Sequence, residues 1–519
     1  MTASNPRRRL PIGIQTFCEV REEGHYYVDK TGFALQLVAE GKHFLLSRPR
    51  RFGKSLFLDT LKELFEGNRE LFAGLEADQG WNWSLRHPVV RLSFGRGNYA
   101  EPGYLQANLM AQLDSIDRQA GLKSLYDSGP DRFACLLERL HRRNRQRVAV
   151  LVDEYDKPIL DTLEDPGIAR ANRDYLRGLY SAIKDSDAHV RFCFLTGVSK
   201  FSKVSLFSGL KNLFDITLEA QYSSICGYTE QDLETVFAPE LEGLDRTGIR
   251  ECYKGYTWGA AERVYNPFDV LLLFRKRTFE PWWFESGSPT FLIDTLVQRG
   301  VQAAALDGMV ASERRLGTFD VGGIATEALL FQIGYLTLGG SERRRGRRYH
   351  RLVYPNREVR QSLNESLADA LTGDVSKREA DCDRLEDVLR TADFEGLELL
   401  LRSVLAGVPY QWHSRNPIAR YEGYYATVLY TNFQSVTADV TAEDSSSAGR
   451  LDLAVRAYGH VYLLELKVHE RAGPGSAMGQ LKDRGYAEKY RHLGEPVHLL
   501  GLEFSEKTRN LARFDVESV

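Results

Sequence analysis

The sequence predicts an α/β multidomain chain with a parallel-sheet core first, a helical middle region next and a second α/β module at the C-terminus. Three observations predict it. Short runs rich in β-branched and aromatic residues alternate with helical stretches through the N-terminal part, the pattern of a parallel sheet buried on both faces. From about residue 226 to 375 the chain turns mostly helical and aromatic-rich. From about 420 the order helix, strand, strand, helix, strand returns. A chain of 519 residues also exceeds what one hydrophobic core serves. The divisions expected are 1–225, 226–385 and 386–519.

Each element follows from local chemistry. HFLLS (43–47) is a short apolar run that stops at Arg48-Pro49, and a helical pattern runs from Lys54 through Glu66, giving strand, loop, helix. HPVVRLSF (87–94), RVAVLV (147–152) and RFCFLT (191–196) are the further strands. In the middle region turns are expected at Gly287-Ser-Pro289 and Gly339-Gly340, and the basic cluster Arg343 to Arg348 reads as a loop. The polar stretch 371–387 reads as a hinge or an exposed helix. TAEDSSSAGR (441–450) reads as a hairpin-like connection between strands at 434–440 and 451–456.

Bulk properties exclude several classes. A net charge of −3 carries no global polyanion-binding signature, so a nucleic-acid surface would have to be a local patch. Six cysteines, at 18, 135, 193, 226, 252 and 382, form no CxxC pair, which argues against structural zinc and disulfides and for a reducing compartment. The N-terminus, MTASNPRRRLPIG, is basic but has no apolar core behind it, unlike a signal peptide. No uninterrupted apolar run approaches the ~18 residues of a spanning helix. A cytoplasmic protein without membrane partners is expected.

The loop SRPRRFGKS (47–55) carries the first chemistry. A glycine-rich loop at the positive end of a helix offers several N–H groups to phosphates, a lysine adds a mobile cation, and a Ser/Thr hydroxyl ligates Mg²⁺. Gly53, Lys54 and Ser55 complete the end of that motif, while Arg48 stands where its first glycine belongs. A surface turn containing GKS is the plain alternative. The setting between strand and helix decides against it, as does VAVLVDEYDKP, an apolar strand ending in Asp153-Glu154. There an aspartate holds Mg²⁺ and an adjacent glutamate polarises the attacking water. The nucleotide-binding set expected is Arg48, Pro49, Arg50, Arg51, Phe52, Gly53, Lys54, Ser55, Leu56, Asp153 and Thr196. Ser55 and Asp153 are the metal ligands and Glu154 the catalytic acid/base; the strand within FCFLTGVSKFS ends at Thr196, and Thr196 or Ser199 is the γ-phosphate sensor candidate, a plain strand end before a turn at Gly197 being the alternative.

Longer segments then carry a resemblance. LPIGIQTF (10–17), YYVDKT (26–31), SRPRRFGKS (47–55), VDEYDKP (152–158), LTGVSKFSKVSLFSGLKNLFDIT (195–217), YNPFDVL (265–271) and FQIGYLT (331–337) resemble AAA-ATPase-like proteins with a C-terminal PD-(D/E)XK nuclease domain. The resemblance runs through most of the chain. It implies a P-loop NTPase (AAA-like) core using ATP and Mg²⁺, a helical middle or lid region, and a restriction-endonuclease-like α/β domain. An arginine in place of the first glycine is usual in that group.

PD-(D/E)XK sites place an aspartate on one strand and E-x-K on the next, the acids binding Mg²⁺ or Mn²⁺ and the lysine orienting water. GRLDLAVRAYGHVYLLELKV supplies Asp452, Glu465 and Lys467. Period-two geometry puts Glu465 and Lys467 on one face, and a turn at 458–460 brings Asp452 toward them. Asp452 and Glu465 are the expected metal ligands, and all three residues the catalytic set. Glu422 could add an acid upstream, and Gln480 and Tyr486 lie on a following helical segment. A solvent-facing ion pair is the plain alternative for ELK, but LLELKV is apolar on both sides of its charges, so that face would be partly buried.

Of the two basic runs, HRRNRQR (141–147) reads as a solvated helix end and ERRRGRR (342–348) as the better nucleic-acid candidate, through sequence-blind phosphate contacts. The expectation is an ATP-binding, ATP-hydrolysing protein whose metal-dependent nuclease module acts on nucleic acid, DNA or RNA. A role in defence against mobile DNA stays open. The alternative is a nucleotide-switched nucleic-acid-binding or signalling protein whose nuclease-like module is inactive. No arginine finger is legible, so a homo-oligomer stays open.

Overall fold

Apolar runs with no polar alternation must be covered on both faces, and the N-terminal strands meet that demand. The computed structural model describes residues 7–123, 126–200, 206–207, 210, 212–259, 261–285, 290–299, 301, 303–317, 323–372, 375–406, 422–436, 439–446 and 449–519. Strands β1 (His43–Ser47), β2 (Val89–Ser93), β3 (Val148–Asp153), β4 (Val190–Gly197) and β5 (Phe214–Asp215) form one parallel sheet in the order β2-β3-β4-β1-β5. Every residue of β1 and β3 is buried.

Helices cover both faces of this sheet, and each presents an apolar stripe. In Lys54–Glu66 the stripe is Phe57, Leu58, Leu61, Leu64 and Phe65. Gly129–Asn144 buries Phe133, Leu136, Leu137 and Leu140, with Pro130 in its first turn. Pro166–Asp185 starts at Asp165, whose side chain accepts from the N–H groups of Gly167 (2.8 Å) and Ile168 (3.1 Å). The run at 141–147 is that solvated helix end, closed by Arg145 in a left-handed conformation.

Contacts divide the chain into two units, Met1–Trp283 with Met309–Arg357, and Phe284–Gly308 with Glu358–Val519. The first unit also holds a two-stranded pair, β6 (Lys254–Tyr256) with β7 (Val264–Tyr265). Three more strands, β8 (Val310–Ser312), β9 (Thr337–Arg344) and β10 (Arg347–Val353), form an antiparallel sheet in the order β8-β10-β9. This corrects two expectations. The Arg343–Arg348 cluster is a paired hairpin rather than a loop, because Arg345 (φ +48°) and Gly346 (φ +77°) make a two-residue turn. Gly339-Gly340 lies inside β9 rather than in a turn. The expected turn at 287–289 falls outside the described residues.

The second unit is built on a mixed sheet, β11 (Asp439–Ser446), β12 (Gly449–Ala457), β13 (His460–Val468), β14 (Val497–Ser505) and β15 (Asn510–Ser518), in chain order. Only β13 and β14 are parallel, and the helix Ser476–Arg484 makes their crossover. The stretch expected as a strand at 434–440 instead ends a helix, Glu422–Ser435, and the strand begins at Asp439. The polar stretch at 371–387 falls across two helices, Arg357–Thr372 and Val375–Thr391. Among the described residues no helix is long and apolar enough to cross a membrane.

Each face of the second sheet has its own cover. Tyr462 and Phe504 point one way, where the Tyr462 hydroxyl donates to the Leu389 carbonyl (2.5 Å) and the Phe504 ring stacks on Tyr425 at 4.2 Å. On the other face Leu463 and Leu499 pack with Leu481 of the crossover helix. Gly501 makes that approach close, since a Cβ there would lie 2.7 Å from the Met478 backbone nitrogen. Gly501→Val is therefore expected to destabilise the second unit by about 1–3 kcal/mol, the usual cost of overpacking. Thermal denaturation checks it; a midpoint equal to the parent's would contradict the close packing.

Candidate functional site

The order of the first sheet decides what meets at its C-terminal edge. β4 lies between β1, which feeds the GKS loop, and β3, which ends in Asp153; Thr196 is in register with Leu46 on one side and Asp153 on the other. Gly53 adopts φ +89°, which starts the helix Lys54–Glu66, and a Cβ there would meet no atom within 4 Å. Lys54 is buried, and its ammonium donates to the Pro49 carbonyl at 2.8 Å. Burial lowers its pKa, while the fields of Asp153, Glu154 and Asp156 push it back up. Ser55 and Leu56 follow on the first helical turn, both half-buried.

Glu154 holds φ +50°, a conformation that costs energy outside glycine, and its N–H donates to Asp153 Oδ1 at 3.0 Å. Burial raises its carboxyl above the usual range, opposed by the charge of Lys54. A raised carboxylate pKa suits proton abstraction near neutral pH. Lys54, Asp153 and Glu154 thus share one edge, as a phosphate-binding and water-activating set requires.

The other loop residues have distinct places. Arg48 is 1% exposed, and its guanidinium donates to the carbonyls of Ser47 (2.9 Å), Thr217 (3.0 Å) and Tyr222 (2.9 Å). It also lies 4.1 Å from the Trp258 ring centre, and its backbone N–H donates to the Gly197 carbonyl. Burial pulls its pKa down to about 10. These contacts give Arg48 the work of holding the loop from beneath. The Arg50 carbonyl accepts from the Trp283 indole (3.1 Å), Arg51 lies over Phe268, Phe52 is buried against Tyr256 and Trp258, and Pro49 abuts Gly334.

Thr196 is fully buried and donates its hydroxyl to the Leu46 carbonyl at 3.1 Å, while Ser199 donates to Asp156 Oδ2 at 2.6 Å. Sequence reasoning passed over Asp156. Its buried Oδ2 also accepts from the N–H groups of Val198 (3.0 Å) and Ser199 (2.5 Å), which ties the segment after β3 to the end of β4. Burial raises its carboxyl, against the pull of those hydrogen bonds. A third acid in VDEYDKP, two residues beyond Glu154, was the available signal.

An apolar pocket adjoins the loop. Tyr26, Tyr27 and Val28 line it together with Leu56, Phe57, Tyr228 and Pro267, and Gly53 and Lys30 reach its wall.

In the second unit the Tyr458-Gly459 turn pairs β12 with β13, so Leu453 faces Leu464 and the preceding Asp452 comes opposite Glu465. Asp452 Oδ2 accepts from the Leu466 N–H at 2.8 Å. Glu465 is 1% exposed and takes an ion pair from Lys467 at 2.7 Å. The structure therefore brings Asp452, Glu465 and Lys467 together on one face of the sheet. Asp452 and Glu465, side by side with Lys467, offer the oxygen donors that a divalent cation takes. Among the described residues no group of three or more His, Cys, Asp or Glu side chains is placed to hold a metal ion. The side chain of Glu422 lies outside the described residues, and Tyr486 donates its hydroxyl to the Arg450 carbonyl.

Glu503 was missed. It is fully buried on β14, in register with Lys467, and accepts from His469 Nδ1 (2.8 Å) and the Ser476 hydroxyl (3.5 Å). The signal was one carboxylate within the apolar run VHLLGLEFS.

Comparison with known proteins follows the same two units. A family described as a predicted AAA-ATPase matches residues 11–207, and the PD-(D/E)XK nuclease superfamily matches residues 420–514. A protein of Azotobacter chroococcum mcd 1 described as "Uncharacterized protein in vnfD 5′ region" is 54% identical over 515 residues, 99% of each chain.

Asp156→Ala leaves two N–H groups and a hydroxyl buried without their acceptor, at about 1–3 kcal/mol for each orphaned group. Denaturant unfolding should show the loss, and Asp156→Asn, which keeps the accepting oxygen, should lose less. Equal stability of parent and alanine variant would contradict the role given to this carboxylate.

Proposed function

The chain belongs to the AAA-ATPase-like proteins that carry a C-terminal PD-(D/E)XK nuclease domain, and from that premise we propose an ATP-hydrolysing protein whose C-terminal module cuts nucleic acid with a divalent metal. The observation that supports it most is the burial of Lys54 among the fields of Asp153, Glu154 and Asp156, at the edge where the GKS loop ends. The carboxylates that offset its burial are the ones placed to hold a metal, and the ammonium stands at the start of the following helix, the arrangement that receives a phosphate chain.

Each residue has its task. The N–H groups at the start of Lys54–Glu66 and the Lys54 ammonium would hold the phosphates. Ser55 and Asp153 would hold Mg²⁺, which when bound neutralises phosphate charge. Glu154 accepts a proton from the attacking water, a task its raised pKa favours. Asp156 keeps the end of β4 fixed against the acid-bearing strand.

In the second unit Asp452 and Glu465 would hold Mg²⁺ or Mn²⁺, which when bound supplies charge stabilisation to a phosphodiester under attack. Lys467, now paired with Glu465, is the group to orient water toward phosphorus. Glu503 positions His469 from within the sheet.

Two measurements test the reading. Lys54→Ala should lower ATP turnover to background, and turnover at the parent's rate would remove the nucleotide assignment. Metal-dependent cutting of DNA or RNA should vanish in Glu465→Ala and in Lys467→Ala. Binding without cutting under every divalent metal would leave a module that only holds nucleic acid; cutting by parent and variants alike would place the activity elsewhere.

A further inference from the structure

The most strongly charged surface of the first unit is the hairpin of β9 and β10. Residues 342–351, ERRRGRRYHR, hold six arginines against one glutamate. From Gly339 to Arg348 every residue is exposed, so neither face of this part of the ribbon is covered by the unit that bears it. Its base is anchored: His350 and Leu352 are buried, and β8 pairs along β10 from Val310 to Ser312.

Register makes the charge unfavourable to the hairpin itself. Arg344 stands directly opposite Arg347, and Arg343 opposite Arg348. Like charges directly opposite destabilise a strand pair. The local acids relieve little of this. Arg344 meets Glu342, and Arg348 lies 3.6 Å from Glu313, but among the described residues no ion pair involves Arg343, Arg345 or Arg347. Protecting a sheet edge needs only a few charges on that edge, not two cross-strand arginine pairs on a projecting ribbon.

We infer that this hairpin is an arm that grips the phosphates of double-stranded DNA, giving the ATPase-bearing unit its own contact with nucleic acid. The inference rests on the proposal that the protein acts on nucleic acid. A two-stranded ribbon fits the roughly 12 Å major groove of B-form DNA, whereas the major groove of double-stranded RNA is too narrow to admit one. Side chains on one face of a strand recur every ~6.8 Å, about twice the ~3.4 Å axial step between phosphates of one DNA strand. Single strands are held by aromatic platforms, and this ribbon lacks one; Tyr349 is half-buried and lies under the Arg344 guanidinium at 5.7 Å. Contacts of this kind carry no base sequence preference.

The test uses the full-length chain carrying Glu465→Ala, so that DNA stays intact. Five arginines, 343, 344, 345, 347 and 348, are changed together to Gln in one protein and to Lys in another. Binding to a blunt DNA duplex is followed by fluorescence anisotropy across a salt series. The Gln set should weaken binding and reduce the slope of log K against log salt by about 4.5, since each of the five phosphate contacts contributes about 0.9. The Lys set should bind like the parent, which separates charge from folding. A Gln set with the parent's affinity and slope would overturn the arm while leaving the nucleic-acid reading intact. Loss in both sets alike would also overturn it. A parent that binds no nucleic acid removes the underlying reading too, and one that binds phosphatidylserine vesicles but not duplex assigns the arm to a membrane surface instead.

Discussion

The phosphate loop is shaped by a buried arginine. Arg48 stands where a glycine would begin the motif, and its guanidinium spans the carbonyls of Ser47, Thr217 and Tyr222 under the face of Trp258. Hydrogen bonds from a charged donor contribute about 1.5–3 kcal/mol each. They link the loop to the segment just after β5 and to the chain near Tyr222, so the loop's path is fixed from below. Above that anchor Gly53 turns into the helix and Lys54 folds back onto the Pro49 carbonyl.

A second constraint aligns the rest of the site. With β4 between β1 and β3, the ends of all three strands lie side by side, and one carboxylate, Asp156, holds the segment after β4 through three hydrogen bonds. The second unit reaches a comparable end by other means. A tight turn brings Asp452 to the strand of Glu465 and Lys467, and Gly501 lets the crossover helix close on the same face. In both units the chemistry-bearing groups sit where apolar strands end or are interrupted, so burial raises the cost of leaving their charges unanswered.

Much of this was legible in the sequence, for definite reasons. Apolar runs without alternation reveal central parallel strands, and a lysine two residues after a glutamate in such a run reveals a shared face. What escaped was long-range. Arg48 reads as a defect in a motif until its partners, 169 and 174 residues away, are in place. Asp156 follows two other acids in VDEYDKP and Glu503 interrupts an apolar run, but their roles depend on Ser199 and His469 arriving from other segments. The arginine hairpin read as a loop because composition outweighed its Arg345-Gly346 turn signal.

One substitution separates a loop anchored by arginine from a loop with a damaged motif. ATP turnover and thermal stability of Arg48→Gly, which restores the general pattern, are compared with those of the parent. If Arg48 anchors the loop, the glycine variant loses both, since three carbonyls and the Trp258 face lose their partner. A glycine variant that melts with the parent and hydrolyses ATP at least as fast would contradict the account.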